Sequence, residues 1–349
     1  ANGVIVVVTK TPKEGRLRVT AKAGIDLQLP DLSSYNMLNA TEKLRLENEI
    51  GLYTAKNEPP KQYNYTNVYN ARLKKVLDGT DIDWLHIPVR NGVGQRYNLQ
   101  LDGGSHEFKW AASLGYNDVE GAMKGSSRKT VNGDITLMYS VKNLIFRNYT
   151  SFTSNHSENS KYGSFQDYVD QQPYNNPYDK NGEVVKSFDN FYMTDKVGNP
   201  LYDATLNTFD KSEYASFINN FSVEWIIMEG LRLRGKLGYS TTRSTSDVFL
   251  PAEHSTFSSK TYNTAEGILR KGRYTYGNGF DDYYNADLTL SYNKTFADKH
   301  QFYVGLNYAI SQENIKDYTF VAEGFTNEDM SFLGNATQYE YGGAPSGDK

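Results

Sequence analysis

The chain has 349 residues, of which 38% are hydrophobic and 14% aromatic, with 28 Tyr, no Cys and a formal net charge of −4. The absence of cysteine excludes a disulfide framework and a thiolate metal site, and the acidic balance without a basic stripe excludes nucleic acid as a partner. No apolar run approaches the roughly eighteen residues of a transmembrane helix, and mean hydropathy is −0.65, which excludes a helical membrane protein but not a barrel, whose outer face uses every second residue.

In chain order, residues 1–15 open as Ala1-Asn2-Gly3 followed by a run of valines and isoleucine. Nine stretches of in–out alternation follow, predicting strands over 16–28, 94–103, 105–117, 128–140, 143–157, 213–228, 231–246, 282–295 and 300–313. On a strand, successive side chains point to opposite faces. One face thus collects Leu231, Leu233 and Leu237, then Leu288 and Leu290, then Phe302, Val304 and Leu306; the other collects Arg232, Arg234 and Lys236, then Asp287 and Thr289. The first set is expected to face lipid. All ten prolines fall outside the nine stretches, as they must if those stretches are paired, since proline cannot donate to a ladder.

The connections alternate in length. Those over 29–93, 158–212 and 247–281 are long and the one over 118–127 is medium, while tight turns sit at Gly103-Gly104-Ser105, Val141-Lys142-Asn143, Met228-Glu229-Gly230 and Ala297-Asp298-Lys299. A soluble sandwich has no reason to keep every tight turn on one edge, whereas a transmembrane β-barrel has short periplasmic turns and longer outer loops. The fold class expected is therefore all-β, an antiparallel transmembrane barrel in the outer membrane of a bacterium. Nine strands cannot close antiparallel, so the sequence is expected to be a piece of a longer barrel, with residues 16–349 forming its N-terminal part.

Within the first long loop, Asn39 with Glu42 three residues on predicts a helix N-terminus, with Leu46, Ile50 and Tyr53 on one face and Gly51 near the end. Val68 to Leu77, closed by Gly79, predicts a second helix. These are candidates for a partner-docking surface or a lid. The second long loop mixes rings with Asn and Asp, and Tyr162, Phe165, Tyr168, Tyr174 and Tyr178 are the candidate ligand- or partner-contact residues, since flat rings beside amides suit sugars or peptides. Pro177 to Gly182 reads as a hairpin turn. Asp78, Asp81 and Asp83 lack the glycine and distal glutamate of a calcium loop. The five histidines never reach ligand spacing, and no nucleophile motif appears, so neither a cofactor nor catalysis is expected.

Four blocks resemble the SusC/RagA family of TonB-dependent outer-membrane transporters: ANGVIVVVTKTPKEG (1–15), DGTDIDW (78–84), NLQLDGGSHEFKWAASLGYNDVEGAMKGS (98–126) and NPLYDATLNTFDKSEYASFINNFSVEWIIMEGLRLRGKLGYS (199–240). The resemblance implies that 1–15 is the end of a plug domain and that about nine strands of a 22-stranded, plugged barrel follow. It also implies import of a large nutrient, an oligosaccharide or oligopeptide, with a SusD-like lipoprotein partner at the surface. Energy would come from TonB acting on a region N-terminal to this chain. The rival readings are an outer-membrane barrel hydrolase and a secreted carbohydrate-binding β-sandwich module. The turn pattern disfavours the second, and the lack of a nucleophile site disfavours the first.

Overall fold

The computed structural model describes residues 11–55, 59–189, 196–297, 299–340 and 346–348. The expected start of the chain, including the segment assigned to a plug, lies mostly outside them. Nine long strands form one antiparallel meander in which each strand pairs with the next in sequence: β1 (Gly15–Gln28), β2 (Gly92–Gly104), β3 (Phe108–Glu120), β4 (Ser127–Val141), β5 (Leu144–Glu158), β6 (Phe209–Met228), β7 (Leu231–Leu250), β8 (Arg273–Phe296) and β9 (His300–Glu323). β1 and β9 do not pair with each other. The sheet is therefore open, and the outer edge of β9 carries only short pairings with Gln338–Tyr339 and Ser346–Asp348.

All nine expected strands form, and every tight turn lies at one end. Gly230 shows why one of those turns takes glycine. Its φ is +82°, and a Cβ there would sit 2.3 Å from the carbonyl oxygen of Asn293 on the neighbouring strand. The β2–β3 turn lies further along than the sequence suggests. Gly104, at φ +136°, ends β2, and Ser105 closes the turn by donating its N–H to the Phe108 carbonyl at 2.7 Å and accepting from Phe108 N–H on Oγ at 3.1 Å.

The last four strands outrun their expected lengths. β8 and β9 pair without a break from Phe296↔His300 to Arg273↔Glu323. A strand of 24 residues extends about 80 Å, whereas the hydrocarbon core is about 30 Å thick. Even a strand tilted by about 45° therefore stands well clear of a bilayer. In the upper half of β8 the alternation of Tyr274, Tyr276 and Phe280 is broken at Asn278 and Asp282, and pairing with β7 and β9 holds the segment extended.

The register places the eight expected outward residues on one face. Leu233 is opposite Leu290, Leu290 opposite Leu306, and Leu231 opposite Tyr292, which faces Val304. Leu237, Leu288 and Phe302 lie on the same face, opposite Ala286, Tyr308 and Lys294. Ring pairs edge this apolar field at both ends, Tyr239 with Tyr284 at 4.9 Å and Tyr292 with Phe302 at 6.4 Å between centroids.

The helices lie at the loop end. α1 (Ala40–Glu49) starts with the expected capping box: Asn39 Oδ1 accepts from Glu42 N–H at 2.9 Å, and Asn39 N–H donates to Glu42 Oε2 at 3.2 Å. Its buried face is not the expected one. Leu46 and Ile50 are exposed, while Ala40, Leu44 and Glu47 are buried. The reason is a buried carboxylate, described below, which an apolar-face count cannot register. α2 (Pro59–Leu77) begins nine residues before the expected Val68, since proline at the first turn of a helix starts it instead of breaking it.

Candidate functional site

Two surfaces are set up by this architecture: the polar face of the sheet, and a layer of packed loops over its long-connection end. On the polar face, Glu224 lies between Arg232 at 3.4 Å and Arg147 at 3.7 Å. Asp287 accepts from Asn307 Nδ2 at 2.6 Å, and Asp134 accepts from Ser113 Oγ at 3.0 Å and Tyr149 Oη at 2.9 Å. These rows of charge and amide suit a wet or protein-filled interior and would be costly against hydrocarbon.

The loop layer has two kinds of joint. The first is aromatic. Trp84, Tyr168 and Phe188 form a buried core, with Trp84 edge-on to Phe188 at 5.8 Å and tilted against Tyr168 at 6.3 Å. It unites the first long loop with the second, because Trp84 Nε1 donates to the Gln172 carbonyl at 3.0 Å and Ile82 N–H to the Pro173 carbonyl at 2.8 Å. The short connection over 121–126 joins through Lys124, which donates to the Ile87 carbonyl at 2.5 Å and lies 5.8 Å over the Tyr162 ring. The DGTDIDW block is thus the strut between two loops.

The second kind of joint is ionic and buried. Glu47 accepts from Tyr53 Oη at 2.6 Å and from Tyr174 Oη at 3.0 Å, and Arg72 reaches its Oε2 at 3.4 Å. The Arg72 guanidinium also stands 4.8 Å over the Tyr174 ring. Burial pushes the Tyr53, Tyr168 and Tyr174 hydroxyls up from their ordinary range, which keeps Tyr53 and Tyr174 protonated as donors to Glu47.

The five ring candidates therefore divide. Tyr168 and Tyr174 are 0% and 1% exposed and pack within the loop layer, where Tyr168 also lines the pocket described below. Tyr162 and Phe165 are half-buried, Phe165 edge-on to Tyr35 at 5.5 Å. Tyr178 is exposed, at the base of the expected hairpin turn, where Asp179 Oδ1 accepts from Asn181 and Glu183 N–H and Gly182 takes φ +83°.

Asp81 caps α1 by accepting Ala40 N–H at 2.8 Å, Asp83 accepts from Leu85 N–H at 3.1 Å and pairs with His86, and Asp78 pairs with Lys74. Each carboxylate has a local task, and no metal-ligating group of three forms among the described residues.

Two short helices of the loop layer escape a periodicity reading. α3 (Phe165–Val169) is started by a capping box of Ser164 and Asp167, and α4 (Pro200–Thr205) by Asn199 with Pro200 at its first turn. Both signatures are visible in sequence. Asn199 is 0% exposed and donates to the carbonyls of Val185 at 2.7 Å and Pro177 at 3.3 Å, pinning α4 to the hairpin. From α4, Asp203 accepts from Ser255 N–H at 2.8 Å and from Ser255 Oγ, and His254 Nε2 stands 3.8 Å away. The Ser255 hydroxyl donates to the carboxylate and not to the imidazole, whose Nδ1 accepts Thr256 N–H at 3.2 Å. The trio is a joint between the second and third long loops.

An antiparallel meander with one apolar and one polar face, tight turns at one end and interlocked loops at the other is the wall of a transmembrane β-barrel. No family model matches the chain. TonB-dependent receptor P39 of Formosa agariphila is 24% identical over 344 residues, which is 97% of this chain and 30% of that receptor. The structure of the RagAB peptide transporter matches with a TM-score of 0.74 at 17% identity, and that of the RagAB peptide importer in the open-open state with 0.72 at 18%. Each match covers 97% of this chain and 39% of the other. The chain is a homologue of a TonB-dependent receptor, has the barrel fold of the RagAB transporter, and spans well under half the length of these relatives.

Proposed function

We propose that this chain forms part of the barrel of a TonB-dependent importer in the bacterial outer membrane, taking up a large nutrient, an oligosaccharide or oligopeptide. The observation that carries the reading is the conjunction of the open nine-strand meander with similarity to a TonB-dependent receptor over 97% of the chain. The apolar face of the sheet meets lipid, the polar face lines the interior, and the loop layer faces out of the cell. A SusD-like surface lipoprotein docks on that layer, where Ile50 at the end of α1 and Tyr63 and Leu77 on α2 are exposed at 68%, 69% and 76%. The protein does no chemistry on its cargo, and TonB supplies the energy.

Topology tests the reading. Cysteines at Asn181, in the second long loop, and at Glu229, in a tight turn, are placed in the full-length protein on intact cells. An impermeant maleimide is expected to label the first and spare the second. Labelling of Glu229→Cys without Asn181→Cys would invert the orientation and overturn the importer reading.

A further inference from the structure

We infer that a pocket between the first and second long loops binds a cationic side chain, a primary ammonium or guanidinium on an apolar stem, and so selects basic peptides. The importer reading supplies only the source of that ligand. The pocket has a volume of about 310 Å³, at the small end of the range for ligand sites. Its walls include buried Trp84 and the apolar side chains of Tyr35, Met37 and Leu38, and these last three are 42%, 49% and 39% exposed. The apolar lining therefore opens to solvent instead of closing into the loop core.

The polar groups of the pocket set the charge of the ligand. Asp81 and Asp83 line it together with His86, whose ring is paired with Asp83 Oδ2 at 2.6 Å, and no Lys or Arg lines it. Asp81 uses Oδ1 to cap α1, and its Oδ2 accepts no hydrogen bond among the described residues. Gln171, 9% exposed, forms part of the lining, but its Oε1 is buried out of reach of the pocket and its Nε2 donates to the Asp167 carbonyl at 3.1 Å, so its amide offers the ligand no free group. The Trp84 N–H is committed to Gln172. Negative charge thus outweighs the remaining donors, the Asn39 amide and the His86 ring already paired with Asp83. A sugar hydroxyl both donates and accepts and gains nothing from net charge. An N–H cation supplies only donors, and its hydrogen bonds to a carboxylate are roughly twice as strong as neutral ones.

The test uses the full-length protein in detergent and three fluorescein-labelled alanine pentapeptides whose central residue is lysine, norleucine or glutamate. Fluorescence anisotropy is expected to give the lysine peptide at least about tenfold tighter binding than the norleucine peptide, with glutamate weakest. Asp81→Asn keeps an oxygen for the Ala40 cap and should bring lysine and norleucine within about twofold. Leu38→Trp fills the pocket without touching a carboxylate and should weaken the lysine peptide by a similar factor. Equal binding of lysine and norleucine, or a lysine preference that survives both variants, would overturn the pocket. So would a neutral oligosaccharide that displaces the lysine peptide with unchanged affinity in Asp81→Asn. Cellular uptake of the same peptides reports separately on transport: binding without uptake refutes the importer reading and leaves the pocket standing, and uptake without lysine preference does the reverse.

Discussion

The barrel wall and the loop layer above it belong to one chain but are held by different forces. In the wall, backbone ladders run nearly without interruption from β1 to β9, with register shifts only near Gly15–Arg18 and Ile226–Met228. Most of the large side chains of its apolar face, Leu237, Leu288 and Leu306 among them, remain exposed. The loop layer has almost no ladder; it is held by side chains, in a ring core at Trp84 and a buried carboxylate at Glu47. The wall is thus built to be solvated by something apolar, whereas the loop layer carries its own interior. A wall tolerates sequence change that keeps its period, while the loop layer depends on particular partners meeting.

That difference explains what could be read from sequence. Period-two alternation reports one-sided burial directly, so the nine strands and the positions of the tight turns were legible, as was the shared face of the apolar residues on β7, β8 and β9. The pattern fails where both faces are wet: nothing in Gly277 to Asp282 separates strand from loop, and strand pairing decides it. It fails again at α1, because Glu47 reads as a surface residue until Arg72, 25 positions away, and Tyr174, 127 positions away, close on it. The burial of Tyr168 and Tyr174 escapes the sequence for the same reason. A ring in a polar loop looks available until its long-range partners are known.

The sharpest way to separate the two regions is Glu47→Ala. Removing one member of a buried ion pair leaves the other charge without compensation and costs about 3–5 kcal/mol. The cost should fall on the loop layer alone. Hydrogen exchange is expected to accelerate across α1, α2 and the segment around Tyr174, while amides of β3 to β7 keep their protection. Loss of protection in the wall would mean that the loops help to hold the strands.

The converse change is Leu237→Arg, on the apolar face, compared with Lys236→Arg, its neighbour on the polar face. Arginine at a mid-membrane lipid-facing position costs about 2–4 kcal/mol, falling towards zero near the interfaces. Folding of the full-length protein into bilayers, followed by urea titration, should show that loss for Leu237→Arg and little change for Lys236→Arg. Equal tolerance of the two would remove the assignment of faces.

The smallest expected effect concerns acid, and it should appear only in the loop layer. Burial pushes the His254 imidazole below its ordinary range, and Arg273 adds to this, while Asp203 and Asp167 pull the other way. The folded state therefore prefers the neutral ring more strongly than the unfolded state does. Stability from this site is complete above the unfolded value of about 6.5 and declines as pH falls from there towards the depressed folded value. The joint between α4 and the third long loop should loosen on acidification from about pH 7 to 5. Hydrogen exchange at Ser255 and Thr256, corrected for intrinsic rates, is expected to rise over that interval, and His254→Gln, which cannot titrate, should flatten the dependence. The Ser255 amide is the better reporter, since it donates to Asp203, whereas the Thr256 amide donates to the titrating ring itself. A pH dependence that persists in His254→Gln would remove the imidazole as the source of the effect.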